Sequence, residues 1–153
     1  TGKRYIYQKQ GIPLTIEMRY LIGVKSGVKD FLVNRTDIPV EVIEKADEHN
    51  LKSLGSYLLF SDRSTAYLST CINPLGNTTN TLEQFLSNRF IYDLQFSNLL
   101  LWLLGKHSLI DLRCIWVHMS IPIDGSNPET TYPTLTKVWI NWHYWWNSRF
   151  PSL

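Results

Sequence analysis

Tyr67-Leu-Ser-Thr-Cys-Ile-Asn-Pro-Leu-Gly-Asn-Thr-Thr79 and Leu112-Arg-Cys-Ile-Trp-Val-His-Met-Ser120 each carry one of the two cysteines of this 153-residue chain. Both stretches read as β-strands, and side chains alternate across a strand, so parity assigns each residue to a face. In the second, Ile115, Val117, Met119 and Ile121 form an apolar face, leaving Cys114, Trp116, His118 and Ser120 opposite. In the first, Ala66, Leu68, Thr70 and Ile72 stand against Tyr67, Ser69 and Cys71. Both thiols therefore fall on the less apolar side. Parity permits a disulfide if these strands are neighbours with Cα atoms within about 7 Å. Two free buried thiols are the next reading, and a reactive cysteine the third.

Working outward, Lys3 to Lys9 and Leu14 to Leu21 predict a hairpin across Gln10-Gly-Ile-Pro13, the second strand half-buried by its alternation. Gly23 and Gly27 mark a turn, Val28 to Asn34 predicts a short helix, and Val40 to Glu48 is helix-compatible after Pro39. Asp37, Glu41, Glu44, Asp47 and Glu48 then read as a solvated helical face. Leu54 to Ser61 and Thr65 to Ile72 predict a second hairpin, joined at Asp62-Arg-Ser64. Thr81, with Gln84 three residues on, opens the longest predicted helix, closed by Gly105. Leu82, Phe85, Leu86, Phe90, Phe96, Leu100, Leu103 and Leu104 share one face of it with Arg89 and Asp93, which are expected to compensate each other as a structural ion pair. Asp124 to Pro128 is a turn before a last helix with a core stripe at Tyr132, Leu135, Val138, Trp139, Trp142, Trp145 and Trp146, whose start Pro133 is expected to bend or delay. Hairpins rather than βαβ alternation predict a single α+β domain over residues 1–153, with a mainly antiparallel sheet of about five strands and two main helices.

Composition narrows function. A net charge of +2 with no Lys/Arg run gives no argument for nucleic acid. The longest strongly apolar run, Leu99 to Leu104, is too short for a bilayer, which needs roughly 20 residues. The start at Thr1 reads as a processed or trimmed product. The cysteine spacing matches no zinc site, so no metal and no cofactor is expected. His49, His107 and His143 are unclustered and read as surface residues. A cysteine-dependent hydrolase or transpeptidase would use Cys71 as nucleophile, His118 as base and Glu17 to orient the imidazole. A binding reading uses the face of Thr15, Glu17, Arg19, Tyr67, Ser69, Trp116, His118 and Ser120, unless the Trp-rich last helix covers it in a three-layer sandwich.

The strings Ile16-Glu-Met-Arg-Tyr20, Ala66-Tyr-Leu-Ser-Thr-Cys-Ile-Asn-Pro-Leu-Gly76, Gln84-Phe-Leu-Ser-Asn-Arg89, Tyr92-Asp-Leu-Gln95, Cys114-Ile-Trp-Val-His118 and Trp142-His-Tyr-Trp-Trp-Asn-Ser-Arg-Phe-Pro151 follow one another across nearly the whole chain. In order and spacing they resemble the cyanobacterial exosortase A system-associated proteins, distant relatives of the exosortase-associated domain encoded at exopolysaccharide loci. The resemblance implies an accessory of a membrane-embedded sorting protease-transpeptidase, binding the exosortase, its substrate protein or an envelope glycan. It further implies a location outside the cytoplasm, at the periplasmic face of the inner membrane, behind an N-terminal membrane tether. It carries over no catalytic residue, and an extracytoplasmic location favours the disulfide. Cys71, Asn73, Arg89, Asp93, Cys114, Trp116 and His118 are the expected organising residues, Asn73 as a brace for the loop before Pro74. A lipid or glycan carrier with a helix-lined apolar interior is the remaining alternative.

Overall fold

The structure, a computed structural model, describes residues 2–9, 12–75, 77–105, 109–123 and 127–151. The predicted turn residues Gln10 and Gly11, Gly76 of the cysteine loop, His107 and Asp124 to Ser126 lie outside this set. A hairpin, β1 (Gly2–Lys9) and β2 (Ile12–Ile22), is followed by two short helices, α1 (Val28–Arg35) and α2 (Val40–Glu44). Next come β3 (Asp47–Leu51), β4 (Gly55–Asp62) and β5 (Thr65–Ile72), then α3 (Leu82–Asp93) and α4 (Phe96–Leu103). β6 (Arg113–Pro122), a short 3-10 turn (Pro128–Thr130) and α5 (Tyr132–Asn147) complete the chain. The six strands form one antiparallel sheet in the order β1-β2-β6-β5-β4-β3. The fold is α+β, as hairpin connectivity predicts.

Strand parity builds two cores. Ile16, Leu68, Val117 and Met119, all fully buried, face α5 and meet its Leu135 and Trp139. On the other face Cys71, Cys114, Trp116, Leu58 and Phe60 pack with Val28 and Leu32 of α1, Ile43 of α2 and Phe85 of α3. The result is helix layer, sheet, helix layer. A three-layer sandwich was expected with the Trp-rich helix over the Trp116 face. Instead α5 covers the opposite face, and α1 to α3 take the cysteine side. Helical periodicity fixes which stripe of α5 is apolar, but not which side of the sheet receives it.

Four further expectations are corrected. Asp47 and Glu48 extend no helix; they begin β3, an edge strand whose first four residues are exposed, so no alternation signals it. Charged edge residues discourage further strand pairing there. The predicted long helix is two helices, broken at Leu94-Gln95, and α5 is the longest. Phe90, Leu100, Leu103 and Leu104 are exposed rather than core. Pro133 does not delay α5: it occupies the first turn, where a missing N–H costs nothing.

Other local signals hold. Thr81 Oγ1 accepts from the Gln84 N–H at 3.2 Å, and Gln84 Oε1 accepts from the Thr81 N–H at 3.4 Å, the reciprocal N-cap of α3. Gly105, at φ +67°, donates to the Trp102 carbonyl as the C-terminal cap. Gly55, at φ +103°, lies so close to Thr78 that a Cβ would sit 2.3 Å from the Thr78 carbonyl oxygen. That approach lets Thr78 bridge β4 while Thr79 pairs with Cys71 of β5.

Candidate functional site

The register places Cys71 opposite Trp116, so Cys114 is its diagonal neighbour across the β5–β6 ladder. The two Cα atoms are 5.8 Å apart and the cysteines form a disulfide, buried beneath α1 and α3. With its Sγ in that bond, Cys71 offers no thiolate. A disulfide belongs with an oxidising compartment.

The chain beyond Cys71 is fastened at several points. The Asn73 amide donates to the Asn77 carbonyl, and its oxygen accepts from the Thr79 hydroxyl at 3.2 Å. Arg89, completely buried, reaches the Leu75 carbonyl, the Asn88 side chain and the Asp93 carboxylate, the last at 3.4 Å. Asp93 accepts the Asp111 backbone N–H at 2.8 Å. Asp111 in turn pairs with Arg113 at 2.6 Å. Burial lowers the Arg89 pKa, and the carboxylates of Asp93 and Asp111 oppose that shift. The Arg89–Asp93 pair therefore ties α3 to the cysteine loop and to the entry of β6. It is a structural device, as the sequence spacing suggests.

Glu17, Ser69 and His118 meet in register, with Glu17 and Ser69 on either side of His118. The imidazole is buried in a ladder of rings, 5.6 Å from Trp116 and 5.3 Å from Tyr67, nearly parallel to both. Burial pushes its pKa down to about 4 against the opposing pull of Glu17. Its Nδ1 has no hydrogen-bond partner among the described residues. Glu17 does not orient it: the carboxylate accepts from Arg19 Nε at 2.7 Å and from Arg4 at 3.3 Å. Partial burial raises the Glu17 pKa, but the two arginines outweigh it and hold the carboxyl below its usual range. Trp116 Nε1 donates to Ser69 Oγ at 2.9 Å, and Ser69 donates to the Val117 carbonyl. Cys71, His118 and Glu17 thus share a face without forming a relay. Thr15, Glu17, Arg19, Tyr67 and Ser120 remain partly exposed there, whereas Ser69, Trp116 and His118 are buried. Much of the expected binding face is closed by its own aromatic stack.

Open concavities lie elsewhere, among them a hollow of about 710 Å³ along α3 and one at α5. Between the β1–β2 hairpin and α5 runs a groove of about 710 Å³. Tyr5 and Tyr7, two residues apart on edge strand β1, point to the α5 side because they pair with Ile16 and Leu14. Their rings meet Trp142 edge-on at 5.4 and 5.9 Å. Trp142 is anchored by its indole N–H on Met18 Sδ at 3.2 Å and stacks on Trp145 at 6.3 Å. Trp145 is 49 % exposed and carries the Arg149 guanidinium over its ring at 4.3 Å. Asn141 adds an amide to the helix wall, and Leu14 and Val138 add apolar surface. A smaller hollow of about 210 Å³ shares Tyr5 and Trp146 with it. Sequence reasoning placed the tryptophans in the core stripe and missed this groove. The available signal was the Tyr5/Tyr7 alternation on a terminal strand together with more tryptophan than one helical stripe needs.

A third feature is a ridge along α3 and α4. Ile91, Leu94, Leu100, Trp102, Leu103 and Leu104 are each at least 44 % exposed. No described helix is long and apolar enough to cross a membrane.

Among the histidines, His49 stacks on Tyr57 at the exposed β3 edge. His143 is not a surface residue: it is 3 % exposed beside Trp139, and neither ring nitrogen has a partner among the described residues. Burial accordingly lowers its pKa. No group of three His, Cys, Asp or Glu side chains among the described residues could hold a metal ion. Comparison of the chain with protein-family models, with curated proteins and with solved structures finds no match.

Proposed function

We propose that this domain is a non-enzymatic accessory of an exosortase-type protein-sorting and envelope system, docked through the α3–α4 ridge on the membrane-embedded exosortase. The observation that carries the reading is the ridge. A run of exposed leucines around Trp102 has no role in either core, and a large contiguous apolar surface on a folded domain marks a contact with protein or membrane. At eight residues, α4 is far too short to span the bilayer, which suits a contact beside a membrane protein rather than an anchor. The Cys71–Cys114 disulfide supports a site of action outside the cytoplasm; within the same proposal, that site is the periplasmic face of the inner membrane, with a tether in the full-length protein.

The cysteine-dependent hydrolase or transpeptidase would need Cys71 reduced and Glu17 released from two arginines, so the geometry favours it less. An interior carrier is also less favoured, because Ile16, Leu68, Trp116 and Trp139 fill the two cores. The test is site-specific photo-crosslinking from position 103 of the full-length protein in native membranes. Capture of the exosortase, and loss of both its co-purification and substrate processing in Leu103→Glu, is the expected result. Crosslinks to lipid or to a second copy alone, with processing intact in Leu103→Glu, would remove the proposal.

A further inference from the structure

The groove between β1 and α5 is in the opposite helix layer from the ridge and is not needed for docking there. Its walls combine two kinds of group. Trp145 and Tyr7 present exposed ring surface, 49 % and 44 % accessible, whereas the sheet-facing Trp139 and Trp116 are at most 1 % accessible. Asn141 stands exposed on the helix wall, facing the phenol groups of Tyr5 and Tyr7 on the strand. The lining contains no acid, lysine, arginine or histidine. The volume falls within the range of small-molecule sites, roughly 300–1,000 Å³.

Each property narrows the ligand. The lining itself carries no formal charge, and the Arg149 guanidinium, outside the lining, is already seated on the Trp145 ring at 4.3 Å, so an anionic or cationic ligand finds no counter-ion within the groove. An acyl chain would satisfy the rings but leave the amide and phenols dehydrated and unpaired, which is costly. A proline-rich peptide would use the rings, yet it offers mainly carbonyl acceptors to an amide and phenols that both donate and accept. A pyranose matches both halves. Its axial C–H groups, polarised by neighbouring oxygens, meet the electron-rich face of an aromatic ring, and its vicinal hydroxyls pair with amide and phenol edges. We propose that the β1–α5 groove binds a neutral pyranose glycan, with Trp145 and Tyr7 as stacking platforms and the Asn141 amide and the tyrosine phenols as hydrogen-bonding edges. The Tyr5–Trp142 contact at 5.4 Å forms the floor that fixes the spacing of strand and helix.

The experiment is calorimetric titration of the 153-residue chain with cellohexaose, chitohexaose and maltohexaose, and with palmitate and a proline-rich decapeptide as competing classes. Saturable binding of at least one hexasaccharide is expected, weakened about tenfold by Trp145→Ala and several-fold by Asn141→Ala. Both side chains are exposed, so near-ultraviolet circular dichroism checks that each variant remains folded. Leu103→Glu, on the ridge, is expected to leave glycan binding unchanged, so failure of the docking reading and failure of this one are separable. No saturation by any of the three hexasaccharides would overturn the proposal. So would binding indifferent to Trp145→Ala in a folded variant, or saturation by palmitate or the peptide alone.

Discussion

On the Cys71 face, polar and reactive groups are locked to one another, whereas on the α5 face aromatic groups of the same kinds stand open. Trp116 donates its N–H to Ser69, His118 lies between two rings, Glu17 is held by two arginines, and the thiols are joined. Across the sheet, Tyr7 and Trp145 keep nearly half their surface accessible, and exposed Asn141 lines the groove beside them. Residue type alone would rank the first face as the functional one. Burial and satisfaction of hydrogen bonds reverse that ranking, because a group already paired inside the protein must break that pairing before it can serve a ligand.

The comparison can be broken most forcefully at the disulfide. Its 43-residue sequence separation makes it worth about 4 kcal/mol through restriction of the unfolded chain. The Cys71→Ala/Cys114→Ala double variant is expected to lower Tm by about 8–16 °C in calorimetry, while glycan titration of the folded variant at 10 °C is unchanged. Next comes Asp93→Asn. Removing the carboxylate paired with buried Arg89 is expected to cost roughly 3 kcal/mol in urea denaturation, near the lower end for a broken buried pair because Asp111 still acts on Arg89 and the amide oxygen can still accept the Asp111 N–H.

Acid probes the same face more gently. His118 titrates near 6.5 when unfolded and about 4 when folded, so the unfolded chain takes up the proton first as pH falls. Its contribution is present above pH 6.5 and lost towards pH 4, roughly 2–3 kcal/mol in all. His118→Phe is expected to flatten much of this slope in denaturation measured from pH 7 to 4. Buried His143, whose pKa is also lowered, retains part of it with the same sign, and Glu17 adds its own loss below its ordinary 4.5. The smallest effect is expected on the open face. Trp145→Ala should cost about 1 kcal/mol through its lost contacts with Trp142 and Trp146, while removing most ligand affinity.

What the sequence revealed follows the range of the underlying physics. Alternation in β5 and β6 placed both cysteines on one face, and the Thr81/Gln84 pair marked the start of α3, because both are local. β3 escaped because Asp47-Glu-His-Asn50 is exposed throughout and has no hydrophobic period. The α3–α4 break escaped because Leu94-Gln95 contains neither glycine nor proline. The groove was invisible for a different reason: Tyr5 and Trp142 lie at opposite ends of the chain, and only docking of α5 on the β1–β2 side brings them together.

The central pairing of β2 with β6 has a consequence for the order of assembly. Its partners, from Thr15 with Ser120 to Ile22 with Arg113, are roughly a hundred residues apart in sequence. The β4–β5 hairpin can close locally, but the β1–β2 hairpin has no neighbour until β6 has been synthesised, and a two-stranded hairpin alone is marginal in water. Sheet closure is therefore a late, non-local event with a correspondingly slow rate. Cys114 arrives on that same last strand, so the thiol chemistry that locks the sheet awaits the segment that completes it.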